Sequence, residues 1–98
     1  MELFNLKNKS ILITGSSRGI GKSIAHQCAL HGANVIISSR KIDACKNTAN
    51  EINKDIGDEV AFPISASISD EDQLINLVEQ TRKKLGKIDV LVCNAATN

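Results

Sequence analysis

Short apolar runs alternate along the chain with longer stretches in which apolar residues recur at helical spacing. The apolar runs comprise residues 10–14, 35–37, 60–64 and 88–92. Each run is short and continuous, which predicts a strand buried on both faces, as in a parallel sheet. Crossover connections between parallel strands are almost always right-handed. The alternation therefore predicts an α/β fold with the order β-α-β-α-β-α-β and a doubly wound parallel sheet.

Three helices are predicted between these strands. Their buried faces are expected to consist of apolar or small residues three or four positions apart, namely Ile20, Ile24, Ala25 and Cys28, then Ile42, Cys45, Ala49, Ile52 and Ile56, then Leu74, Leu77, Val78, Thr81 and Leu85. Gly32, Gly57 and Gly86 follow the three stretches and predict where each helix ends. Ser69 precedes three acidic residues and is predicted to cap the third helix.

The single proline helps to order the strands. Pro63 has no backbone N–H to donate to a neighbouring strand, so the third strand is predicted to lie at an edge of the sheet. The Rossmann-type strand order 3-2-1-4 agrees with that placement. The fourth strand then forms the other edge, where an apolar strand leaves backbone groups unpaired. We therefore expect residues 1–98 to be the N-terminal part of a single domain, truncated after its fourth strand.

A glycine-rich segment, TGSSRGIG at residues 14–21, lies where the first strand gives way to the first helix. Gly15 allows a tight turn without a Cβ clash, Gly19 allows a ligand to approach the backbone, and Gly21 allows the helix to pack closely on the sheet. Free N–H groups in the first helical turn would then face an anion such as a pyrophosphate. The predicted nucleotide site comprises Gly15, Ser16, Ser17, Arg18, Gly19, Ile20 and Gly21.

The residues after the second strand bear on which dinucleotide binds. A site that selects NAD usually has an Asp or Glu there, which accepts hydrogen bonds from the ribose 2′-hydroxyl. This chain has Ser39-Arg40-Lys41 and no carboxylate. Arg40 can pair with a 2′-phosphate, which Arg18 can reach from the glycine turn, so NADP is predicted rather than NAD. The alternative, that Arg40 and Lys41 are ordinary solvated residues, fits less well because a cation is unfavourable at a helix start.

Composition argues against several other classes of partner. The chain has 12 basic and 11 acidic side chains, and this balance gives no general reason to expect nucleic acid. No apolar run approaches the ~20 residues of a membrane span, and the N-terminus does not resemble a secretory signal. Cys28, Cys45 and Cys93 are too far apart for a disulfide framework or a zinc site. We expect free thiols in the cytoplasm and no metal, membrane or nucleic-acid partner.

Together these residues resemble the short-chain dehydrogenase/reductase family, classical type. The family signature TGxxxGxG is matched by Thr14, Gly15, Gly19 and Gly21. The segment 85–96, LGKIDVLVCNAA, is similar to the family's fourth strand with its NNAG motif. The resemblance runs along the whole chain, which is less than half of a family member, and is greatest toward NADP-dependent carbonyl and 3-ketoacyl reductases. It implies that the chain is the cofactor-binding half of an NADP-dependent oxidoreductase that acts on a small carbonyl or alcohol substrate.

The resemblance also implies roles for individual positions. The turn from Gly15 to Gly21 would contact the pyrophosphate and the adenosine ribose, while Ser39 and Arg40 would hold the 2′-phosphate. The residues implied to line the cofactor ribose are Asn94, Ala95 and Ala96.

The chain departs from the family pattern at two places. Ser67, in Ala66-Ser67-Ile68, stands where the family commonly has an Asp that bonds adenine. A hydroxyl can still make one such bond, so Ser67 and Ile68 are expected adenine contacts. Cys93 replaces the first Asn of the NNAG motif and Ala96 replaces its Gly, which removes one polar bridge between strands.

The catalytic groups of the family have no counterpart in the chain. Family members use a Tyr as acid and base, with a Lys four residues later and a Ser that orients the substrate. The chain contains no Tyr, so no catalytic residue is predicted and residues 1–98 alone are expected to be inactive. Two alternatives are a non-catalytic NADP(H)-binding module and, disfavoured by Ser39-Arg40, a methyltransferase-like Rossmann domain. The whole enzyme is expected to be a homodimer or homotetramer.

Overall fold

The computed structural model describes residues 5–94. Its strands and helices alternate in the order β1 (Ser10–Thr14), α1 (Gly19–Leu30), β2 (Asn34–Ser38), α2 (Ile42–Ile56), β3 (Ala61–Pro63), α3 (Glu71–Leu85) and β4 (Val90–Cys93). The four strands form one sheet in the order β3-β2-β1-β4, and all three pairings are parallel. The predicted Rossmann-type α/β fold and its strand order are confirmed.

The two central strands are buried on both faces because helices cover both sides of the sheet. Successive side chains of a strand point to opposite faces. Ile11 and Ile13 of β1 accordingly share a core with α1 and α2, whereas Leu12 between them packs with Leu77 of α3. The continuous apolar runs of β1 and β2 thus reflect burial from both sides, as predicted.

The third strand lies at the sheet edge, where Pro63 was expected. The side chain of Asn53 on α2 holds the start of this strand. Its Oδ1 accepts hydrogen bonds from the backbone N–H groups of Val60 and Ala61, both at 2.8 Å, and its Nδ2 donates to the Ala61 carbonyl at 2.9 Å. The edge strand is therefore attached to α2 as well as to β2.

The predicted buried face of α1 is wrong at Ile20, which is 73% exposed. The buried positions are instead Gly21, Ala25 and Ala29, with Ile24 only partly covered. These residues have small side chains, which allows the helix axis to lie close to the sheet. The helix therefore contacts the sheet through its smallest residues rather than its largest.

Two further expectations for the helices are corrected. Ile42 and Leu74 are each 38% exposed, and both stand in the first turn or just after it in their helices. Ser69 is not the cap of α3, because its hydroxyl lies 2.9 Å from the Ser67 hydroxyl. Asp70 is the cap, and its Oδ1 accepts a hydrogen bond from the Gln73 N–H at 3.2 Å.

Candidate functional site

Three of the predicted site segments meet at the carboxyl ends of the parallel strands. Thr14, Ser38 and Cys93 end β1, β2 and β4 in register. The glycine turn, the β2–α2 turn and Asn94 follow directly after them. In open α/β sheets, ligands bind outside the carboxyl ends of the strands, where the connections diverge to the two faces. Here α1 covers one face of the sheet, and the chain reaches β4 from the other face. The connections therefore diverge between β1 and β4.

The glycine turn has the backbone that its sequence predicts. Gly15 and Gly19 have φ angles of 64° and 63°, in the left-handed region that other residues rarely adopt. Gly21 has no room for a side chain, because an added Cβ would overlap the Gly15 carbonyl and crowd the Asn94 amide nitrogen. Gly21 thus serves close packing against the turn and the end of β4, a more specific role than contact with the sheet.

Ser16 fastens the turn to both central strands. Its hydroxyl donates to the Ile13 carbonyl at 2.7 Å and accepts from the Ser38 N–H at 2.9 Å, and its own N–H donates to the Ser38 carbonyl at 3.0 Å. The residue is completely buried. The hydroxyl is therefore engaged inside the protein, and a cofactor contact at Ser16 stays a prediction.

The N-terminus of α1 is open to an anion. Arg18 caps this helix with extended backbone and makes no side-chain cap hydrogen bond, and the first turn carries no acidic residue. Apart from its chain neighbours and the backbone of its own helix, an added Cβ on Gly19 would meet no atom of the described residues within 4 Å, so space adjoins the backbone there. The helix dipole adds partial positive charge at this point. The first turn of α1 is thus suited to a phosphate group.

Arg18 and Arg40 lie at the carboxyl ends of the strands, Arg18 in the glycine turn and Arg40 in the β2–α2 turn. Both side chains are exposed. Within residues 5–94, neither guanidinium takes part in an ion pair; the three pairs there join Lys22 to Glu51, His26 to Asp55 and Lys87 to Asp89. Both guanidinium groups therefore keep their donors for a ligand.

Thr14 has a role that the sequence analysis did not assign. Its hydroxyl donates to the Val92 carbonyl at 3.4 Å and accepts from the Asn94 N–H at 3.0 Å. The Asn94 side-chain amide in turn donates to the Gly15 carbonyl at 3.4 Å. Asn94, a predicted site residue, is thereby held beside the glycine turn. Ala95 and Ala96 lie outside the described residues.

Two side chains of α2 hold the turns of the site, and the sequence patterns did not indicate either of them. Thr48 Oγ1 donates to the Ser17 carbonyl at 2.6 Å, and Cys45 Sγ lies 3.2 Å from Ser39 Oγ. Thr48 and Cys45 are buried, with exposures of 3% and 0%. The sequence does contain one signal for such residues, because a polar side chain on the buried face of a helix needs a hydrogen-bond partner.

Ser67 and Ile68 follow β3 beside these carboxyl ends of the strands. The Ser67 N–H donates to Gln73 Oε1 at 2.8 Å, and its hydroxyl lies 2.9 Å from the Ser69 hydroxyl. Ile68 is 42% exposed. Local hydrogen bonds thus order this loop, and the adenine contacts expected of these two residues stay predictions.

Within residues 5–94, the structure shows neither an activated thiol at Cys28 nor a metal site. Burial raises the pKa of the Cys28 thiol, which favours the unreactive protonated form. No group of three or more His, Cys, Asp or Glu side chains within residues 5–94 is arranged to hold a metal ion. Over the same range, every helix is too short or too polar to cross a membrane.

Comparison with known proteins agrees with this geometry. A model of the short chain dehydrogenase family matches residues 9–98. The chain belongs to this family. As a short-chain dehydrogenase/reductase, it is 42% identical over 94 residues to the short-chain dehydrogenase/reductase SDRA of Arabidopsis thaliana, an alignment covering 95% of the chain and 36% of the relative. The chain therefore spans about a third of that relative's length, and 22% of the length of hydroxysteroid dehydrogenase-like protein 2 of Bos taurus, to which it is 40% identical over 93 residues.

Solved structures of reductases share the short-chain dehydrogenase fold of this chain. L-Sorbose reductase from Gluconobacter frateurii, complexed with NADPH and L-sorbose, superposes with a TM-score of 0.89 at 30% identity, over 99% of this chain and 36% of that one. The 3-ketoacyl-(acyl-carrier-protein) reductase from Brucella melitensis, complexed with NADH, superposes with a TM-score of 0.81 at 34% identity, over 89% and 34%. The two structures hold different nicotinamide cofactors.

Proposed function

We propose that this chain is the cofactor-binding part of an NADP-dependent oxidoreductase that interconverts a small carbonyl compound and its alcohol. The observation that carries the proposal is the pair of exposed arginines, Arg18 and Arg40, beside the open N-terminus of α1. Family membership supports a nicotinamide cofactor, and the arginines support NADP over NAD. The expected cytoplasmic location and the homodimeric or homotetrameric assembly stay predictions.

The pyrophosphate would bind at the first turn of α1. Backbone N–H groups near Gly19 and Ile20 lie at the helix start, where dipole and free donors favour an anion. The positive φ of Gly19 and the space beside it allow close approach of a phosphate to the backbone. Ser17 and Arg18 complete this part of the site.

The 2′-phosphate would bind between the arginines. A guanidinium presents donors in a planar fork that matches two phosphate oxygens, so Arg18 and Arg40 would bind it from two sides. Ser39 would add a hydroxyl. No carboxylate lies between Ser38 and Lys41 to accept hydrogen bonds from an unmodified ribose, as an NAD site usually requires.

The remaining contacts follow from the other connections at the carboxyl ends of the strands. Asn94, held beside Gly15 by its amide hydrogen bond, would orient the nicotinamide ribose, with Ala95 and Ala96 next to it. Ser67 and Ile68 would contact the adenine. When bound, the nicotinamide ring supplies hydride transfer, while these residues bind and orient it.

The decisive test is Arg40→Asp in the full-length protein, with NADPH and NADH titrated against each variant. Losing hydrogen bonds to a charged group while introducing a carboxylate should weaken NADPH binding about ten- to a hundred-fold and leave NADH binding equal or tighter. Lys41→Asp makes the same charge change one residue further on and should alter NADPH affinity less than about threefold. Unchanged NADPH affinity in Arg40→Asp would refute the proposed 2′-phosphate site.

A second candidate is a non-catalytic NADP(H)-binding module, which would use the same binding residues, including Arg18 and Arg40. NADPH oxidation by the full-length protein with a panel of aldehydes and ketones separates the two. Turnover supports the oxidoreductase, whereas tight NADPH binding without turnover over the panel supports the module.

A further inference from the structure

We propose that Thr48 and Cys45, one turn apart on α2, are positioning residues that set how far apart the glycine turn and the β2–α2 turn lie. These turns carry the pyrophosphate and 2′-phosphate subsites, so the inference rests on the proposed function. Neither side chain would touch the dinucleotide. Each would act through the backbone segment to which it is bonded.

Thr48 restrains the glycine turn. The residue is 3% exposed, and its hydroxyl donates to the Ser17 carbonyl at 2.6 Å, across 31 positions of sequence. A buried hydroxyl is costly without a partner, so this bond is strongly favoured over an unpaired arrangement. Ser17 directly precedes Arg18, the cap of α1. The hydrogen bond therefore limits movement of the backbone at which the pyrophosphate would bind.

Cys45 restrains the second turn. The thiol is fully buried, lies 3.2 Å from the Ser39 hydroxyl and donates weakly to the Ser39 carbonyl at 3.8 Å. The Ser39 carbonyl also accepts the Ala66 N–H at 2.9 Å, so the segment is held from two directions. Ser39 directly precedes Arg40, whose guanidinium would reach the 2′-phosphate.

Helix geometry makes the two restraints a unit. Residues three positions apart lie on one face of a helix, separated by about 4.5 Å along its axis. The same side of α2 is packed into the core by Ala49 and Ile52, which are 1% and 2% exposed. One rigid turn of α2 is thus hydrogen-bonded to both connections that would bind phosphate.

The two restraints should affect different dinucleotides. A pyrophosphate is common to NADPH and NADH, whereas a 2′-phosphate is present only in NADPH. Loss of the Thr48 hydroxyl should therefore weaken the binding of both. Loss of the Cys45 thiol should weaken the binding of NADPH alone and so lower the ratio of NADPH affinity to NADH affinity.

The experiment compares Thr48→Val, Thr48→Ser and Thr81→Val in the full-length protein by equilibrium titration with NADPH and NADH. Thr48→Val should weaken both dinucleotides about three- to ten-fold, the effect of one hydrogen bond, and Thr48→Ser should restore them. Thr81 is the matched control, because it is also buried but donates to the Leu77 carbonyl within α3. Thr81→Val should lower thermal stability and leave both affinities unchanged.

Cys45→Ala provides an independent measurement should Thr48→Val fail to fold. It should reduce the NADPH-to-NADH affinity ratio about threefold or more, and Cys45→Ser should restore it. Amide hydrogen exchange without nucleotide adds a readout that does not require binding. Faster exchange near Ser17 in Thr48→Val, or near Ser39 in Cys45→Ala, is expected.

The outcomes distinguish this inference from the proposed function. If the wild-type protein binds NADPH in preference to NADH, but neither α2 variant alters affinity or exchange, the positioning role is overturned and the NADP site stands. An equal loss of affinity in Thr81→Val would also overturn it, because the effect would then be one of general stability. If the wild-type protein binds neither dinucleotide, the proposed function fails and the inference fails with it.

Discussion

The helices α2 and α3 have equal lengths of 15 residues, lie on opposite faces of the sheet and end at a glycine, yet their polar side chains are used differently. Thr48 of α2 donates to the glycine turn, whereas Thr81 of α3 donates back to its own helix. The helix on the α1 side therefore supports the candidate site through specific hydrogen bonds. The helix on the other face buries Leu77 against the sheet and reaches the β3–α3 loop only near its start, where Gln73 Oε1 accepts the Ser67 N–H.

This difference shows that two similar amphipathic helices can contribute differently to a site. The apolar residues of each helix pack it against the sheet. The partner of each buried polar side chain decides whether the helix also fixes a loop. In this short-chain dehydrogenase/reductase, α2 is bonded to the glycine turn, to the β2–α2 turn and to β3.

The largest expected effect tests the attachment of α2 to the edge strand. Asn53→Ala removes three hydrogen bonds to β3 and leaves the N–H of buried Ala61 without its partner, which should cost about 1–3 kcal/mol of the free energy of unfolding. Asn76→Ala makes the same change at an exposed position of α3 and should alter stability by less than about 0.5 kcal/mol. Denaturant unfolding measures both; equal losses would remove the contrast between the helices.

A smaller effect is expected from the helix caps, where α3 rather than α2 has the specific side-chain hydrogen bond. Asp70 caps α3, whereas Lys41 at the same position of α2 makes no side-chain cap hydrogen bond. Asp70→Ala should therefore lower stability by about 1 kcal/mol, with most of it recovered in Asp70→Ser. Lys41→Ala should change it little. A larger loss in Lys41→Ala would mean that the start of α2 has a stabilising contact other than a cap.

The smallest effect concerns the acidic residues that follow the two helices. Asp89, after α3, accepts the Ser10 N–H at 2.8 Å and pairs with Lys87, and these contacts lower the pKa of its carboxyl group. Because the folded-state pKa is the lower one, its stabilisation is present above the unfolded-state pKa of about 3.9 and is lost as pH falls through the folded-state pKa.

Asp89→Asn should accordingly flatten the dependence of stability on pH in the acid range, with unfolding midpoints compared at neutral and acid pH. Among residues 5–94, the one hydrogen bond that the Asp58 side chain, after α2, accepts is that of the adjacent Glu59 N–H at 2.8 Å, so Asp58→Asn is the control. A wild-type acid slope retained in Asp89→Asn would contradict the role assigned to the carboxylate.

Much of the fold followed from local patterns. Pro63 located one sheet edge, and continuous apolar runs identified the strands that helices cover on both faces. Ile20 was assigned to the wrong face because helical spacing gives a period but does not say that a close-packed helix buries its small side. Ser69 was assigned as a cap because Ser and Asp both suit that position, and only loop geometry selects Asp70.

The site was predictable where backbone conformation depends on residue type. Gly15 and Gly19 have the positive φ angles that their positions require. Thr48 and Thr14 were missed because their partners are backbone carbonyls distant in sequence, and a carbonyl is present at every residue. Residue types therefore cannot indicate which carbonyl a side-chain hydroxyl will reach.

The hydrogen bond from Thr48 to Ser17 has a consequence for protein engineering. A cofactor-preference swap that transplants only the residues just after β2 from a homologue would keep the recipient's α2, and with it the recipient's spacing of the two turns. The transplanted segment should instead extend through residue 48, so that the arginine or carboxylate it introduces arrives together with the helical turn that places it.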